Sequence, residues 1–333
     1  MTRTAIVSDR RITGLSAVVI AELVAELGPL WQERHQARLV SRPRKRAVGA
    51  GAKRRMVLVD RLLATLVHLR HGVTHDVLAC WFGGDRSTVT RAIGEVRPLL
   101  AERGCTISPD VRLRTLAEVV DHLGETGKTG IIDGTEIRVR RPAVGHQDRD
   151  KFISGKSKQN AVKAMVFTDG DGRLLFCSPT RSGSCADITH ARESVLVRLL
   201  ADGPGIEILA DAGYQGLGAQ TGGRVVTPPH RKFKKNAPDW YEEVHERRRK
   251  AHSSRRIRVE HGIAHLKNWR ALARHLGRRE RMDDTVQAIA TLLSQQQTAD
   301  LFPARTRAPR PHRPLRRPTS NRARARNDLV HGY

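Results

Sequence analysis

The feature that most constrains the fold is a charged, helix-forming segment at residues 254–270, SRRIRVEHGIAHLKNWR. At about 100° per residue, the side chains of Arg256, Glu260 and Lys267 fall within roughly 40° of one another around a helix. Apolar residues form an adjoining stripe, so the acid is expected at the border between core and solvent. A solvated helix with i, i+4 ion pairs would show the same pattern. Residues elsewhere in the chain must therefore distinguish such a helix from one that carries a functional acid.

Two further acids lie in short apolar segments that are typical of strands. Asp133 lies in GIIDGTEIRV and Asp211 lies in IEILADAGYQG. Three carboxylates suit a site for two divalent ions, because Mg²⁺ prefers oxygen ligands and leaves positions open for water and phosphate. Taken singly, Asp133 could belong to a hairpin turn and Asp211 could bind backbone N–H groups in a loop. Together with Glu260 they favour a catalytic site.

These segments resemble the DDE transposases of bacterial insertion sequences, in the branch related to Harbinger-type nucleases. The resemblance covers most of residues 50–300. It rests on four stretches, which are DGTEIRVRRP from Asp133, SGKSKQNAVKAMVFTDGDGRL from Ser154, ADAGYQG from Ala210 and RIRVEHGIAHLKNWR from Arg256. The three acidic motifs occur in the order that this family shows, which is more specific than any one of them alone.

In related transposases the last stretch follows the pattern Tyr-x2-Arg-x3-Glu-x6-Lys. Arg256, Glu260 and Lys267 match its final three members, whereas Ser253 stands at the tyrosine position. The departure removes whatever a tyrosine would contribute and keeps the acid that would bind metal.

The resemblance implies a transposase that binds the terminal inverted repeats of its own element and cleaves and rejoins DNA by metal-dependent phosphoryl transfer. Asp133, Asp211 and Glu260 would be the catalytic acids and would bind two Mg²⁺ or Mn²⁺ ions, with Arg256 and Lys267 as supporting phosphate contacts. The partners would be double-stranded DNA, at the element ends and at the target, and further copies of the chain in a homodimer or higher synaptic oligomer. The alternatives are a DNA-binding protein without catalysis, as a degenerate copy or a regulator, and a host endonuclease on the same fold.

Positive charge dominates the composition. Lys and Arg number 60 against 34 Asp and Glu, a formal net charge of +26, and only 4% of residues are aromatic. This balance indicates a polyanionic partner that is contacted through phosphates more than through base stacking. No run of 18 or more apolar residues occurs, so neither a membrane helix nor a signal peptide is expected. The scattered cysteines indicate neither a zinc ribbon nor a disulfide framework, and we expect a cytoplasmic, nucleoid-associated protein.

The pattern of residues 56–125 predicts a helix-turn-helix DNA-binding domain. Gly72 ends one helix, and Thr74 is suited to cap the next. A further helix, from Ser87 or one residue earlier, would bury an apolar face and turn its polar face to the major groove. The residues predicted to contact DNA on that face are Arg86, Ser87, Thr88, Thr90 and Arg91. An ordinary helical bundle is the alternative.

The predicted fold class is α/β, with an N-terminal all-α helix-turn-helix domain followed by an RNase H-like mixed-sheet catalytic domain. The four predicted segments are an N-terminal helix and basic linker at 1–55, the helix-turn-helix domain at 56–125, the catalytic domain at 128–302 and a disordered Arg/Pro-rich tail at 303–333. The catalytic domain should contain strands at 130–139, 161–168, 173–178 and 206–210, a helix at 188–200 and mostly helix over 240–293. The first helix, at 15–39, should pack on the next domain and break or kink at Gly28–Pro29.

Residues outside the three acidic motifs carry weaker signals. Lys156, Lys158 and Lys163 are predicted to form a phosphate-contacting surface, with a solvated face as the alternative. Asp187 precedes a helix, so capping is expected first and a supporting role in the site second. Glu136 lies on the opposite strand face from Asp133 by period-two alternation, which excludes it from the metal-binding set.

Overall fold

The structure is a computed structural model that describes residues 3–41, 56–145, 147–230, 238–275, 277 and 279–303. The predicted basic linker and the predicted Arg/Pro-rich tail therefore lie outside the described residues, apart from their first positions. None of the helices in the described ranges combines the length and the apolar content that a bilayer crossing needs.

The described chain contains both helices and strands. The helices are α1 Arg3–Ser8, α2 Arg10–Thr13, α3 Ala17–Val40, α4 Leu58–His71, α5 His75–Phe82, α6 Arg86–Ala101, α7 Leu116–Thr126, α8 Asp187–Glu193, α9 Leu196–Asp202, α10 Leu217–Gln220, α11 Asp239–Lys267, α12 Arg270–Ala273 and α13 Met282–Leu301. The strands are β1 Cys105–Ser108, β2 Val111–Leu113, β3 Gly130–Arg138, β4 Ala161–Asp169, β5 Leu174–Cys177, β6 Arg181–Ser182, β7 Ile208–Leu209 and β8 Val225–Val226.

Local capping signals set the boundaries of the three helices α4, α5 and α6. Gly72 ends α4 in a left-handed conformation with φ of 67°. The hydroxyl of Thr74 accepts a hydrogen bond from the backbone N–H of Val77 at 3.4 Å and so caps α5. The third helix, α6, begins at Arg86 and buries Val89 completely, as its apolar spacing predicts. The sequence prediction of these helices is confirmed.

The N-terminal helix α3 differs from its prediction. It is helical from Ala17 to Val40, so of the break or kink expected at Gly28–Pro29 the break does not occur. Pro29 removes one backbone donor, but buried contacts on the same face hold the helix on both sides of that point. Leu23, Leu27 and Trp31 are buried against the neighbouring helices. Tertiary packing therefore outweighs the local cost of the proline.

The main sheet has the strand order β5-β4-β3-β7-β8, with β6 paired to β4. Strands β3, β4 and β5 are antiparallel neighbours, whereas β3, β7 and β8 run parallel. Three antiparallel strands followed by a parallel pair define the RNase H-like arrangement. Every residue of β4 is buried, because elements cover both faces of the sheet at its centre. The fold class is confirmed.

The segment predicted as one helix at 188–200 is two helices, α8 and α9. Ser194 has an extended backbone and accepts a hydrogen bond from the N–H of Leu196, which stops α8 and turns the chain. Ala186 occupies the capping position of α8 and Asp187 is its first helical residue. The capping role expected for Asp187 is therefore wrong, and its carboxylate is directed to other contacts.

Two further departures concern the carboxyl-terminal half and a small sheet. The helical stretch predicted over 240–293 is interrupted between Lys267 and Met282, where only the short α12 and a single turn of 3₁₀ helix form. The two-stranded sheet of β1 and β2 has no counterpart in the prediction. It packs against α13, and the hydroxyl of Ser294 accepts a hydrogen bond from the N–H of Thr106 at 2.9 Å.

One apolar core connects the N-terminal helices to the main sheet. It includes Leu63 of α4, Val96 of α6, Val166 of β4 and Ile289 of α13, all of them buried. Helix α13 contacts α6 on one side and β1 and β5 on the other. The described residues up to Phe302 accordingly form one compact unit.

A charged cluster ties α3 to the small sheet. The carboxylate of Glu26 accepts hydrogen bonds from Arg103 at 2.7 and 3.0 Å and from Arg112 at 2.5 and 2.7 Å. Burial raises the pKa of Glu26, but the hydrogen bonds from the two guanidinium groups outweigh it and lower the pKa to about 2. The Arg103 side chain is only 2% exposed, so losing its partner would leave a buried cation uncompensated.

We expect Glu26→Gln to lower the free energy of unfolding at pH 7 by about 2 to 3 kcal/mol. The pKa of Glu26 is lower in the folded chain, so its stabilisation is complete above the unfolded pKa of about 4.5 and is lost as the pH falls toward 2. Denaturant unfolding from pH 7 to pH 2.5 measures this, with Glu33→Gln on the same helix as the control. An equal loss at all pH values would contradict the assignment of the stabilisation to this carboxylate.

Candidate active site

The pairing of β3 with β7 places two of the predicted acids side by side. The strands are parallel, and Ile131 pairs with Leu209. Asp133 and Asp211 each lie two residues beyond that pair, Asp133 within β3 and Asp211 just after β7 has ended. Neighbouring strands lie about 4.8 Å apart, which brings the two carboxylates together at the edge where β7 ends beside β3.

Asp133 is a half-buried carboxylate with one cationic partner. Its Oδ2 accepts a hydrogen bond from Nη2 of Arg256 at 3.1 Å, and its Oδ1 accepts one from the N–H of Gly134 at 2.8 Å. Burial raises the pKa of Asp133 to about 6, and although Arg256 opposes the rise, the charges of Asp211 and Asp187 add to it. The site therefore concentrates negative charge where water cannot fully screen it.

Asp211 combines a loop role with its position in the acidic cluster. Its Oδ1 accepts a hydrogen bond from the N–H of Gly213 at 2.9 Å, which shapes the short 3₁₀ turn Ala212–Tyr214. This is the loop role that the sequence left open. No ion pair engages the Asp211 carboxylate among the described residues, so it can also serve as an oxygen ligand.

Asp187 is a third carboxylate at this edge. A Cβ atom built on Gly134 would lie 2.7 Å from Oδ1 of Asp187, and one built on Gly213 would lie 3.2 Å from its Oδ2 and 3.0 Å from Oδ1 of Asp211. Nζ of Lys163 donates to Asp187 at 3.3 Å. The carboxylate thus fits between the backbones that follow Asp133 and Asp211, where only glycine leaves room for it.

Glu260 and Lys267 are exposed residues of α11, and Glu260 forms no hydrogen bond or ion pair among the described residues. Glu260 lies one turn beyond Arg256, on the helix that crosses β3 and β7. Within the described ranges, no group of three or more His, Cys, Asp or Glu side chains has an arrangement ready to hold a metal ion. The structure brings Asp133 and Asp211 together with Asp187, and leaves Glu260 at the rim.

The chemistry of these side chains nevertheless fits divalent ions. All the available donors are carboxylate oxygens, which suit Mg²⁺ or Mn²⁺ better than softer metals. The pKa of Asp133 is raised first by burial and then by repulsion from the charges of Asp211 and Asp187. A cation at this edge would offset that repulsion.

Two buried residues that the sequence analysis did not assign border the acids. Tyr214 is completely buried, and its hydroxyl has no hydrogen-bond partner among the described residues. Burial and the charges of Asp187, Asp133 and Asp211 raise its pKa well above the ordinary value. His252 of α11 forms a 2.8 Å hydrogen bond through its ring Nε2 to the carbonyl oxygen of Ala210. This hydrogen bond joins α11 to the residue that precedes Asp211.

The predicted lysine surface divides into two parts. Lys156 and Lys158 are exposed, as a phosphate-contacting surface requires. Lys163 is only 9% exposed and bonds to Asp187 and Glu136, so its placement on that surface is wrong. Glu136 also accepts a hydrogen bond from the hydroxyl of Ser154 at 2.6 Å. It takes no part in the hydrogen bond between Arg256 and Asp133.

The helix-turn-helix residues lie on the first half of α6. Arg86, Ser87, Thr90 and Arg91 are exposed, and Thr88 is half-buried. The Thr90 hydroxyl is already engaged, because it donates to the carbonyl of Arg86 and lies 2.8 Å from Nδ1 of His75. Arg86 lies 3.8 Å from Asp76, and the contact of these residues with DNA stays a prediction.

Comparisons with known proteins agree with this architecture. Residues 132–294 match the family described as DDE superfamily endonuclease, and residues 54–106 match the helix-turn-helix of DDE superfamily endonuclease. A protein of Streptomyces albus G, assigned as the transposase of insertion sequence element IS112, is 30% identical over 231 residues, which span 68% of this chain and 75% of that protein. The chain belongs to the DDE transposases of insertion sequences.

Solved structures give weaker likenesses. A Mos1 transposase paired-end complex with the left transposon end is 12% identical, covers 78% of this chain and 87% of its own, and has a TM-score of 0.19. A mariner Mos1 paired-end complex with Mg is 14% identical, covers 81% and 86%, and has a TM-score of 0.23. At these TM-scores the fold assignment rests on the strand order of the chain itself.

We expect Gly134→Ala to lower the free energy of unfolding by about 1 to 2 kcal/mol, because the new methyl group would overlap Oδ1 of Asp187. The same substitution in an Asp187→Ala background should cost much less. Gly155→Ala, whose Cβ would meet nothing within 4 Å, is the matched control. A double-mutant cycle of denaturant midpoints measures the coupling. Equal costs in both backgrounds would mean that Asp187 does not contact Gly134.

Proposed function

We propose that this protein binds the ends of its own insertion sequence and catalyses metal-dependent DNA cleavage and strand transfer, with Asp133, Asp211 and Glu260 as the metal-binding acids. The observation that carries the proposal is the in-register placement of Asp133 and Asp211 on adjacent parallel strands beneath α11. Membership of the DDE family supports the same chemistry. Two Mg²⁺ or Mn²⁺ ions at such a site would activate the attacking oxygen and stabilise the leaving one.

The residues of the chain would supply positioning and charge. Asp133 and Asp211 present oxygen atoms at the sheet edge, and the exposed Glu260 can add a third carboxylate from the helix. Arg256 donates to one oxygen of Asp133 through Nη2, and its guanidinium would also donate to a phosphate beside the acids. Lys267 lies about three turns beyond Arg256 on the same helix and would contact the DNA backbone away from the reacting bond.

DNA binding would depend on α6 and on the positive surfaces. We propose double-stranded DNA at the element ends and at the target as the partner, bound by several copies of the chain as a homodimer or higher synaptic oligomer. The exposed arginines at the start of α6 would reach base edges in the major groove, as the second helix of a helix-turn-helix does. The lysines Lys156 and Lys158 would contact phosphates.

We expect the wild type to cut duplexes that carry the element ends only with Mg²⁺ or Mn²⁺, and Glu260→Gln to cut hundreds of times more slowly, about 3 to 4 kcal/mol in the barrier. The substitution keeps size and helix propensity but removes a negative ligand. Single-turnover cleavage and binding in EDTA are measured in parallel, and binding should stay near normal. Glu243→Gln, another exposed glutamate of α11, is the control.

Asp133→Asn and Asp211→Asn should lose cleavage to at least the same extent. Asp187→Asn tests whether the third carboxylate comes from α8 instead. If Glu260→Gln cuts like the wild type while Asp187→Asn does not, Asp187 takes the place proposed for Glu260. If purified wild type never cuts authentic ends with either metal, a DNA-binding protein without catalysis becomes the better description.

We expect Arg86→Ala combined with Arg91→Ala to weaken binding to the element ends more than to random duplex, by about 1 to 3 kcal/mol for each lost base contact. Both side chains are exposed at the start of α6, where such a helix meets base edges. Competition binding with labelled duplexes measures the ratio, and Arg192→Ala with Arg198→Ala controls for lost charge. An equal loss on both duplexes would show phosphate contacts in place of base contacts.

A further inference from the structure

A deep groove runs beside α6, between that helix and the segment that joins α11 to α13. Its volume is about 940 Å³. One wall carries the predicted DNA-contacting residues Arg86, Ser87, Thr90 and Arg91, and the other carries Arg274, His275 and Arg281. The recognition helix therefore faces a second, separate element of the chain across an open space.

The lining of this groove is strongly cationic. Its charged residues are six arginines and one glutamate, namely Arg38, Arg86, Arg91, Arg97, Arg274, Arg281 and Glu95. Glu95 pairs with Arg38 at 3.0 Å and is also engaged by Trp31 at 3.0 Å and Arg61 at 2.8 Å, and Arg86 lies 3.8 Å from Asp76. The other four arginines of the groove form no ion pair among the described residues, so the groove keeps an excess of positive charge.

Arg97 lies at the floor of the groove and is the most informative of these residues. It is 7% exposed, and its Nε atom has no hydrogen-bond partner among the described residues. Asp284 lies within electrostatic range, yet no ion pair joins the two side chains in the described part of the chain. A buried guanidinium without a partner is costly, and an anion in the groove would remove that cost.

A smaller groove continues from the first one toward the catalytic sheet. Its volume is about 310 Å³, and it shares Arg274 and His275 with the larger groove. Arg138, Arg140 and Lys158 also line it, and none of the described residues that line it is acidic. The backbone N–H of His275 donates to the carbonyl of Arg138 at 2.8 Å, which fastens this wall to the end of β3. Arg138 follows Asp133 by five residues on the same strand, roughly 16 Å along it.

We infer that the two grooves form a track for one phosphodiester strand of the DNA that α6 reads, with Arg97 at its floor and Arg274 and Arg281 on its rim. This inference rests on the proposed DNA-binding function. When a recognition helix lies in the major groove, the phosphate backbone passes along its side, which is where this groove lies. The size suits one strand, because about 940 Å³ is the volume of a cleft for a drug-sized ligand and too small for a duplex.

The track makes the segment between α11 and α13 a second DNA-binding element. Arg274 and Arg281 would contact phosphates and not bases, so they would act on every sequence alike. The DNA strand that leaves the larger groove would pass Arg138 and Lys158 and approach Asp133. The groove would thereby guide the DNA from the recognition helix to the acids.

The test is the salt dependence of binding to a random-sequence duplex in EDTA, where no cleavage occurs. Each phosphate contact contributes about 0.9 to the slope of log K against log salt. We expect Arg274→Ala with Arg281→Ala to make the slope shallower by nearly 2, and Arg97→Met by about 1. Arg274→Lys with Arg281→Lys should restore the wild-type slope, since lysine also binds phosphate as a point charge.

The matched control is Arg192→Ala with Arg198→Ala, which removes two exposed arginines of α8 and α9 that line neither groove. If the Arg274 and Arg281 variant has the wild-type slope, or changes it no more than this control, the inference is overturned. Polyglutamate serves as a model of an acidic polypeptide. If the groove variant no longer binds polyglutamate but its salt slope on DNA is unchanged, the groove would belong to an acidic protein partner and the inference would also be overturned. Circular dichroism melting identifies any variant that has unfolded, and if the alanine pair has unfolded the slopes of Arg274→Gln with Arg281→Gln and of Arg97→Met decide the outcome, since wild-type slopes in both would overturn the inference.

The outcomes separate this inference from the proposed function. If the protein never cuts DNA but its groove variants show a shallower salt slope, the phosphate track is supported and the proposed catalysis is not. If the protein cuts DNA with Mg²⁺ but all groove variants keep the wild-type salt slope, the proposed function is supported and the track is not.

Discussion

The parallel pairing of β3 with β7 is the constraint on which the rest of the site depends. Because Ile131 pairs with Leu209, Asp133 within β3 and Asp211 just after β7 lie at the same level. The arrangement is unfavourable by itself, since burial and neighbouring acids raise the pKa of Asp133 to about 6. The fold holds the acids together because the sheet beneath them is packed on both faces, so the repulsion is offset by burial elsewhere.

Helix α11 is positioned by its apolar contacts more than by its charges. Val259 packs with Ile131 and Leu209 in a small buried cluster. Gly262 brings the helix close to the sheet, since a Cβ atom there would lie 3.0 Å from Cγ2 of Thr168. These contacts fix the rotation of the helix, and the rotation then directs Arg256 to Asp133 while Glu260 remains at the solvent border.

Features that depend on local signals could be predicted from the sequence. The glycine that ends α4, the threonine that caps α5 and the hairpin turn after β4 each follow from residues a few positions apart. The long central strands also follow from their apolar composition. The placement of Asp133 and Asp211 at one edge could be expected only through the family resemblance, because the paired part of β7 is two residues long.

The sequence could not locate side chains whose neighbours are distant along the chain. Asp187 was expected to cap a helix, but its carboxylate fits between the backbones of Gly134 and Gly213, which belong to other elements. Lys163 was placed with the exposed lysines, but β4 is covered on both faces and its side chain is nearly buried. The error for Lys163 arises because period-two alternation shows which residues share a strand face and not what covers that face, whereas the error for Asp187 arises because a local capping signal does not show distant neighbours.

The shared core has a consequence for how DNA recognition and cleavage would be coupled. Helix α13 packs against α6 on one side and against β5 on the other, and the same apolar cluster contains Val96 of α6 and Val166 of β4. Separating the recognition helix from the sheet would expose that apolar surface to water, which is unfavourable in proportion to its area. The spacing between α6 and Asp133 is therefore set by packed side chains. For a chain that cuts DNA, the cleavage position relative to the recognised sequence would then depend on this core and not on the length of a connecting segment.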